Sequence, residues 1–92
     1  MIVRIAGEGQ FNVPDDVAGR LNELDNEAVG AVEAGDEARF HHLFAQMIEL
    51  IETDGEPLPD DELAVSHVIV PPRDISFNEA KNDFTGEGLI PD

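Results

Sequence analysis

The stretch from about Glu37 to Thr53 constrains the fold more than any other part of this chain. Phe40, Leu43, Phe44, Met47, Ile48, Leu50 and Ile51 recur along it at helical intervals. At ~100° per residue the seven span roughly 160° of a helix circumference. A stripe that wide covers two neighbours, so the segment is expected to pack on a second helix and on a sheet at once, or to leave part of its face for a subunit or partner. The preceding segment supplies the second helix. After Pro14, Asp15 and Asp16 place acids at a helix start, and Val17, Leu21, Leu24, Ala28, Ala31 and Val32 form a narrower stripe opposite Arg20, Glu23, Asp25, Asn26, Glu27 and Glu33. Gly35 as the closing residue and Asp36 as the N-cap of the next helix join the two into a tight hairpin.

Strand signals flank this pair. Val3 and Ile5 alternate with Arg4, and Phe11 and Val13 alternate with Gln10 and Asn12, across Gly7-Glu8-Gly9. That pattern predicts a β-hairpin with Phe11 and Val13 inward and Gln10 and Asn12 outward. The glycines do not form a phosphate loop: a second strand follows them instead of a helix N-terminus, and Glu8 would repel the anion. His67-Val68-Ile69-Val70 is a third strand signal, stopped by Pro71-Pro72. Its lack of alternation predicts a strand covered on both faces, central or facing a subunit. Between them, Gly55 closes the long helix and Glu56-Pro57-Leu58-Pro59-Asp60-Asp61-Glu62 reads as an acidic connector ordered by Pro and Leu contacts more than by backbone pairing. Ser76-Phe77-Asn78-Glu79 has the form of a capping box opening a short helix that turns Phe77, Ala80 and Phe84 inward. The expected fold is α+β, one domain over 1–92. The N-terminal hairpin and a Val65–Val70 strand form a small antiparallel sheet, packed against the helical hairpin, with a short C-terminal helix.

Charge restricts the partners. Twenty-one Asp and Glu face five Lys and Arg, a formal net charge of −16. Arg4, Arg20, Arg39, Arg73 and Lys81 stand singly along the chain, whereas nucleic-acid binders need clustered cations to displace counterions. Anionic lipid is opposed by the same field, and no apolar run approaches the ~20 residues of a membrane helix. The start MIVRIAGEG carries no signal-peptide pattern, so a cytoplasmic protein is expected, reaching the inner face of a membrane only through a partner. So acidic a surface with a single lysine resembles proteins of extreme halophiles. Raising KCl from about 0.1 to about 2 M shortens the Debye length from ~10 Å to below ~3 Å, and the melting temperature is expected to climb markedly; a flat melting curve would contradict this.

Reactive groups are sparse. With no cysteine there is no disulfide, thiolate or Cys-zinc site. His41 and His42 point about 100° apart on one helix and cannot share a metal as an i, i+4 pair would. Glu37 and His41 stand at i, i+4 as a half-site with His67 as the candidate third group, which keeps open a small enzyme or a ligand- or metal-binding protein using His41, His67 and neighbouring carboxylates. Ser66 beside His67 has the wrong geometry for a nucleophile and its base. The acid pairs Asp15-Asp16 and Asp60-Asp61 suit solvated faces better than desolvated acid–base work. No cofactor, metal or catalytic residue is therefore assigned.

Several segments read together resemble one family: Met1-Ile2-Val3-Arg4-Ile5 with Gly7-Glu8-Gly9-Gln10-Phe11, Leu21-Asn22-Glu23-Leu24-Asp25, Ala31-Val32-Glu33-Ala34-Gly35-Asp36, Gly55 to Leu63, Val70-Pro71-Pro72 and Glu87-Gly88-Leu89-Ile90-Pro91. In order and spacing they are similar to the PspAA proteins, associated with phage-shock protein A in actinobacteria and archaea, and the acidity fits a haloarchaeal member. The resemblance implies a non-enzymatic role beside PspA, a coiled-coil protein that coats and remodels stressed inner membrane, exercised by protein–protein contact. The family-like residues are turns, caps and proline connectors, so no reaction is implied. Separately, the wide arc of the long helix and the unalternating strand predict a two-fold homodimer, with Phe40, Phe44, Met47, Ile48, Ile51, Val68 and Val70 as candidate interaction residues. A purely structural homodimer is the other alternative.

Overall fold

Gly7 and Gly9 adopt φ of 81° and 119°, backbone that a side chain disfavours, and reverse the chain between β1 (Ile2–Ile5) and β2 (Gly9–Asn12). The strands pair antiparallel with Val3 opposite Phe11 and Arg4 opposite Gln10. The computed structural model describes residues 1–59, 65–86 and 88–90. Helices α1 (Asp15–Glu33) and α2 (Glu37–Asp54) follow as the expected hairpin. Gly35 turns it at φ 72°, and the Asp36 side chain accepts from the Arg39 N–H at 3.1 Å, satisfying a donor the helix start would otherwise leave unpaired. β3 (Glu56–Pro57), β4 (Val68–Val70) and α3 (Phe77–Asp83) complete the order. At α3 the capping box is formed in both directions. Ser76 Oγ accepts from the Glu79 N–H at 3.2 Å and donates to Glu79 Oε1 at 3.0 Å.

The architecture is α+β, with a four-stranded sheet in the order β3-β2-β1-β4. Three expectations about that sheet are corrected. First, it is mixed: β4 runs parallel to β1, with Val3 beside Val68 and Ile5 beside Val70. The three-residue turn between β1 and β2 forces antiparallel pairing, but the ten residues 58–67 that precede β4 impose no direction, so local pattern could not decide it. The strand is also shorter than the expected Val65–Val70 span. Second, β4 is an edge strand covered on one face. Val68 and Val70 are buried while Ile69 is 63% exposed, so the run alternates in burial although not in hydrophobicity. Third, the acidic connector does pair through its backbone where it begins: Glu56 and Pro57 lie opposite Asn12 and Phe11, and the Leu58 N–H donates to the Gln10 carbonyl at 2.9 Å. Asp60, Asp61 and Glu62 lie outside the described residues.

One core joins the layers. Val3, Ile5, Val13, Val68 and Val70 from the sheet side meet Leu21, Leu24, Ala28 and Val32 of α1, the apolar face of α2, and Ala80 and Phe84 around α3. All seven candidate interaction side chains, Phe40, Phe44, Met47, Ile48, Ile51, Val68 and Val70, are buried within the single chain. The broad arc of α2 is thus filled by α1, α3 and the sheet. Phe40 sits at its centre, stacked on Phe44 with ring centroids 5.6 Å apart and edge-on to Phe84 at 5.0 Å.

Candidate interaction surface

Three polar constructions and one apolar edge stand out. The first is a clamp. Arg73, just beyond β4, donates from Nε to Glu8 Oε2 at 2.9 Å and from its terminal amino group to Glu8 Oε1 and, at 2.9 Å, to Glu52 Oε1. It ties the β1–β2 turn to the last turns of α2. Hydrogen bonding to the guanidinium holds the Glu8 carboxyl below the usual carboxylate range, and the two carboxylates raise the Arg73 pKa. Arg73 also rims a half-open cleft of about 520 Å³ whose floor includes Phe44, Ala45 and Ile48 and whose walls include Glu49, Glu52 and His41. Its cation is already committed to two carboxylates, so the cleft presents acid to solvent.

The histidines do not converge. His41 Nε2 lies 3.7 Å from Glu37 Oε1 on the same helix, and His42 contacts Gln46 at 2.9 Å. His67 is taken by the backbone: its Nδ1 accepts from the Ile2 N–H at 2.8 Å, which requires that nitrogen to be unprotonated, while its own N–H donates to the Ile2 carbonyl. This exchange locks the start of β4 against β1. Among the described residues, no group of three or more His, Asp or Glu side chains is placed to hold a metal ion, and no helix is long and apolar enough to cross a membrane.

The third construction was missed by sequence reasoning. Asp25, assigned above to the solvent face of its helix, is fully buried. Its two oxygens accept from the Leu89 N–H at 3.0 Å and the Ile90 N–H at 2.9 Å, pinning the tail to α1 across more than sixty residues. Gly88 approaches so closely, at φ 76°, that a Cβ there would stand 2.7 Å from both Asp25 oxygens. A signal was present: at ~100° per residue Asp25 lies only ~40° from Leu21, inside the apolar arc that Val29 closes. Gln10 is a second correction. Predicted outward, it does face away from the helices, yet it is buried there and donates from Nε2 to Ser66 Oγ at 2.8 Å.

The apolar edge is β4 and its approach. Among the described residues, Val65 at 86% exposure and Ile69 at 63% are the large hydrophobic side chains left to solvent, and both belong to this segment. Ile69 shares the outer face of the sheet with the exposed Arg4, its neighbour on β1. Beside it runs a shallow groove of about 380 Å³ lined by Ile69, Pro71, Pro72 and Ile75, with Glu79 and Asp83 at its rim. An edge with free backbone and uncovered aliphatic side chains is suited to bind protein.

Comparison with known families agrees with the resemblance read from the residues. The family model of the PspA-associated proteins, PspAA, matches residues 1–92. The chain belongs to the PspAA family. No curated protein and no solved structure matches it. PspAA membership links the chain to PspA as an accessory, and among the described residues Gly7, Gly9, Gly35, Asp36 and Gly55, which helped to carry the resemblance, lie where elements are joined.

Proposed function

We propose that this PspAA protein is a non-enzymatic accessory of a PspA-type envelope stress response and acts by protein–protein contact. The observation that carries the reading is the match to the PspA-associated family along the whole chain. The surface supports it: the apolar material left exposed is an edge strand and its approach, and the polar groups with defined geometry, Asp25, Arg73 and His67, are spent on holding the fold. The partner is a PspA-like coiled-coil protein. The chain works in the cytoplasm and reaches the membrane's inner face through that partner, because a surface of net charge −16 is repelled by anionic lipid. Its acidity suits a salt-rich, haloarchaeal-type cytoplasm.

The chain also acts as a homodimer in this reading, as a single 92-residue domain per protomer. Phe40, Phe44, Met47, Ile48 and Ile51 support the contact from behind, and Val68 and Val70 belong to the strand that makes it. The partner is tested by affinity capture from a native high-salt lysate in which PspA and this protein are both expressed. Recovery of the PspA-like coiled coil is expected. Its repeated absence, with both proteins verified in the input, would reject the partnership.

A further inference from the structure

We infer that β4 pairs antiparallel with β4 of a second copy about a two-fold axis at Ile69, joining two four-stranded sheets into one of eight. The inference rests on the self-association proposed above and supplies its surface. The Val70 carbonyl accepts from the Ala6 N–H at 2.9 Å, so it points at β1. Backbone groups of successive strand residues point to opposite edges, which turns the Ile69 N–H and C=O to the free edge. A two-fold axis there lets Ile69 and the partner's Ile69 exchange both hydrogen bonds, a self-complementary contact that closes on itself.

The two edges of the sheet differ in a way that selects this one. β3, at the other edge, is two residues long, carries Glu56 and ends in Pro57, features that discourage strand addition. β4 carries no charge, and residues 63–73 contain no Asp or Glu although 21 occur in the chain. Two molecules of −16 meet with least repulsion along such a segment. Across the joined outer face the strands would present Arg4, Ile69, the partner's Ile69 and the partner's Arg4, an apolar centre flanked by cations. The register opposes residue 65 to residue 73, bringing the partner's Val65 toward the groove of Pro71, Pro72 and Ile75. Both exposed aliphatic side chains are thereby covered by one operation. Pro71 lacks an N–H and limits the ladder to a short pairing, so a concentration-dependent dimer is expected in place of a fibre.

The absence of cysteine gives a clean test. In the full chain at about 2 M KCl, where charge repulsion is screened, Ile69→Cys places two thiols on the axis. A hydrogen-bonded antiparallel pair holds its Cα atoms ~5.5 Å apart, within the range of about 4.4–6.8 Å that a disulfide spans. Mild oxidation should convert most of Ile69→Cys to a covalent dimer, while the more exposed Val65→Cys, opposed to residue 73, should crosslink poorly. In sedimentation across a dilution series, Ile69→Lys should raise the dimer dissociation constant at least ~10-fold with an unchanged circular dichroism spectrum. A wild-type dimer with no preferential crosslinking at position 69 would overturn this surface and keep self-association. A wild-type particle that stays monomeric at all micromolar concentrations would overturn both, and leave the PspA partnership to the capture experiment.

Discussion

Asp25→Ala is expected to destabilise the protein by about 3–5 kcal/mol, because one buried and one half-buried N–H group lose their carboxylate acceptor and each unsatisfied donor costs ~1–3 kcal/mol. For a domain of this size, total stability is of order 5–14 kcal/mol at ~0.05–0.15 kcal/mol per residue, so one carboxylate would account for a large share of it. The mechanism is local at both ends. Asp25 lies in the buried arc of α1, and the Leu89 and Ile90 amides it receives have Ile90 buried beside them and Leu89 packed on the same core. Asp25→Asn should be milder, since its carbonyl can still accept one of the two bonds while its amide faces a donor. Gly88→Ala should reproduce much of the loss from the other side, forcing a methyl against the carboxylate. Chemical denaturation measures the cost, and amide exchange locates it: in Asp25→Ala the Leu89 and Ile90 N–H groups should exchange faster than those of α2. A denaturation midpoint that scarcely moves would show that the tail is held by its apolar contacts alone.

Phe40→Ala should cost about as much, ~3–5 kcal/mol, for a different reason. Phe40 is fully buried and its ring lies within 6 Å, centroid to centroid, of Phe44, Phe77 and Phe84, so truncation leaves a cavity at the junction of α2 and α3. Neighbours fixed on two packed helices cannot all collapse into it. Phe40→Leu keeps much of the volume and should lose far less. The comparison is read from urea midpoints at fixed salt, with near-ultraviolet dichroism reporting the phenylalanine environment. Equal, small effects from both substitutions would mean that the cluster tolerates a void and that α3 is only loosely attached.

The helices, their caps and the first hairpin were legible in the sequence because each is decided by neighbours a few residues away. The period of Phe40 to Ile51, Asp36 three residues before Arg39, Ser76 three before Glu79, and glycines at 7, 9 and 35 specify local backbone and local donors, and the structure realises each. The sequence also decided where most of the negative charge goes, since so many carboxylates must largely be solvated, and among the described residues Asp25 is the exception. Tertiary structure decided what depends on residues far apart in the chain. β4 is parallel to β1 because a ten-residue connection leaves direction to packing, and Ile69 is exposed because β4 has a helical layer on one face only. Asp25 is buried because the tail returns more than sixty residues later with two N–H groups that need an acceptor. A helical period says which side chains share a face, and only the folded chain supplies what that face meets.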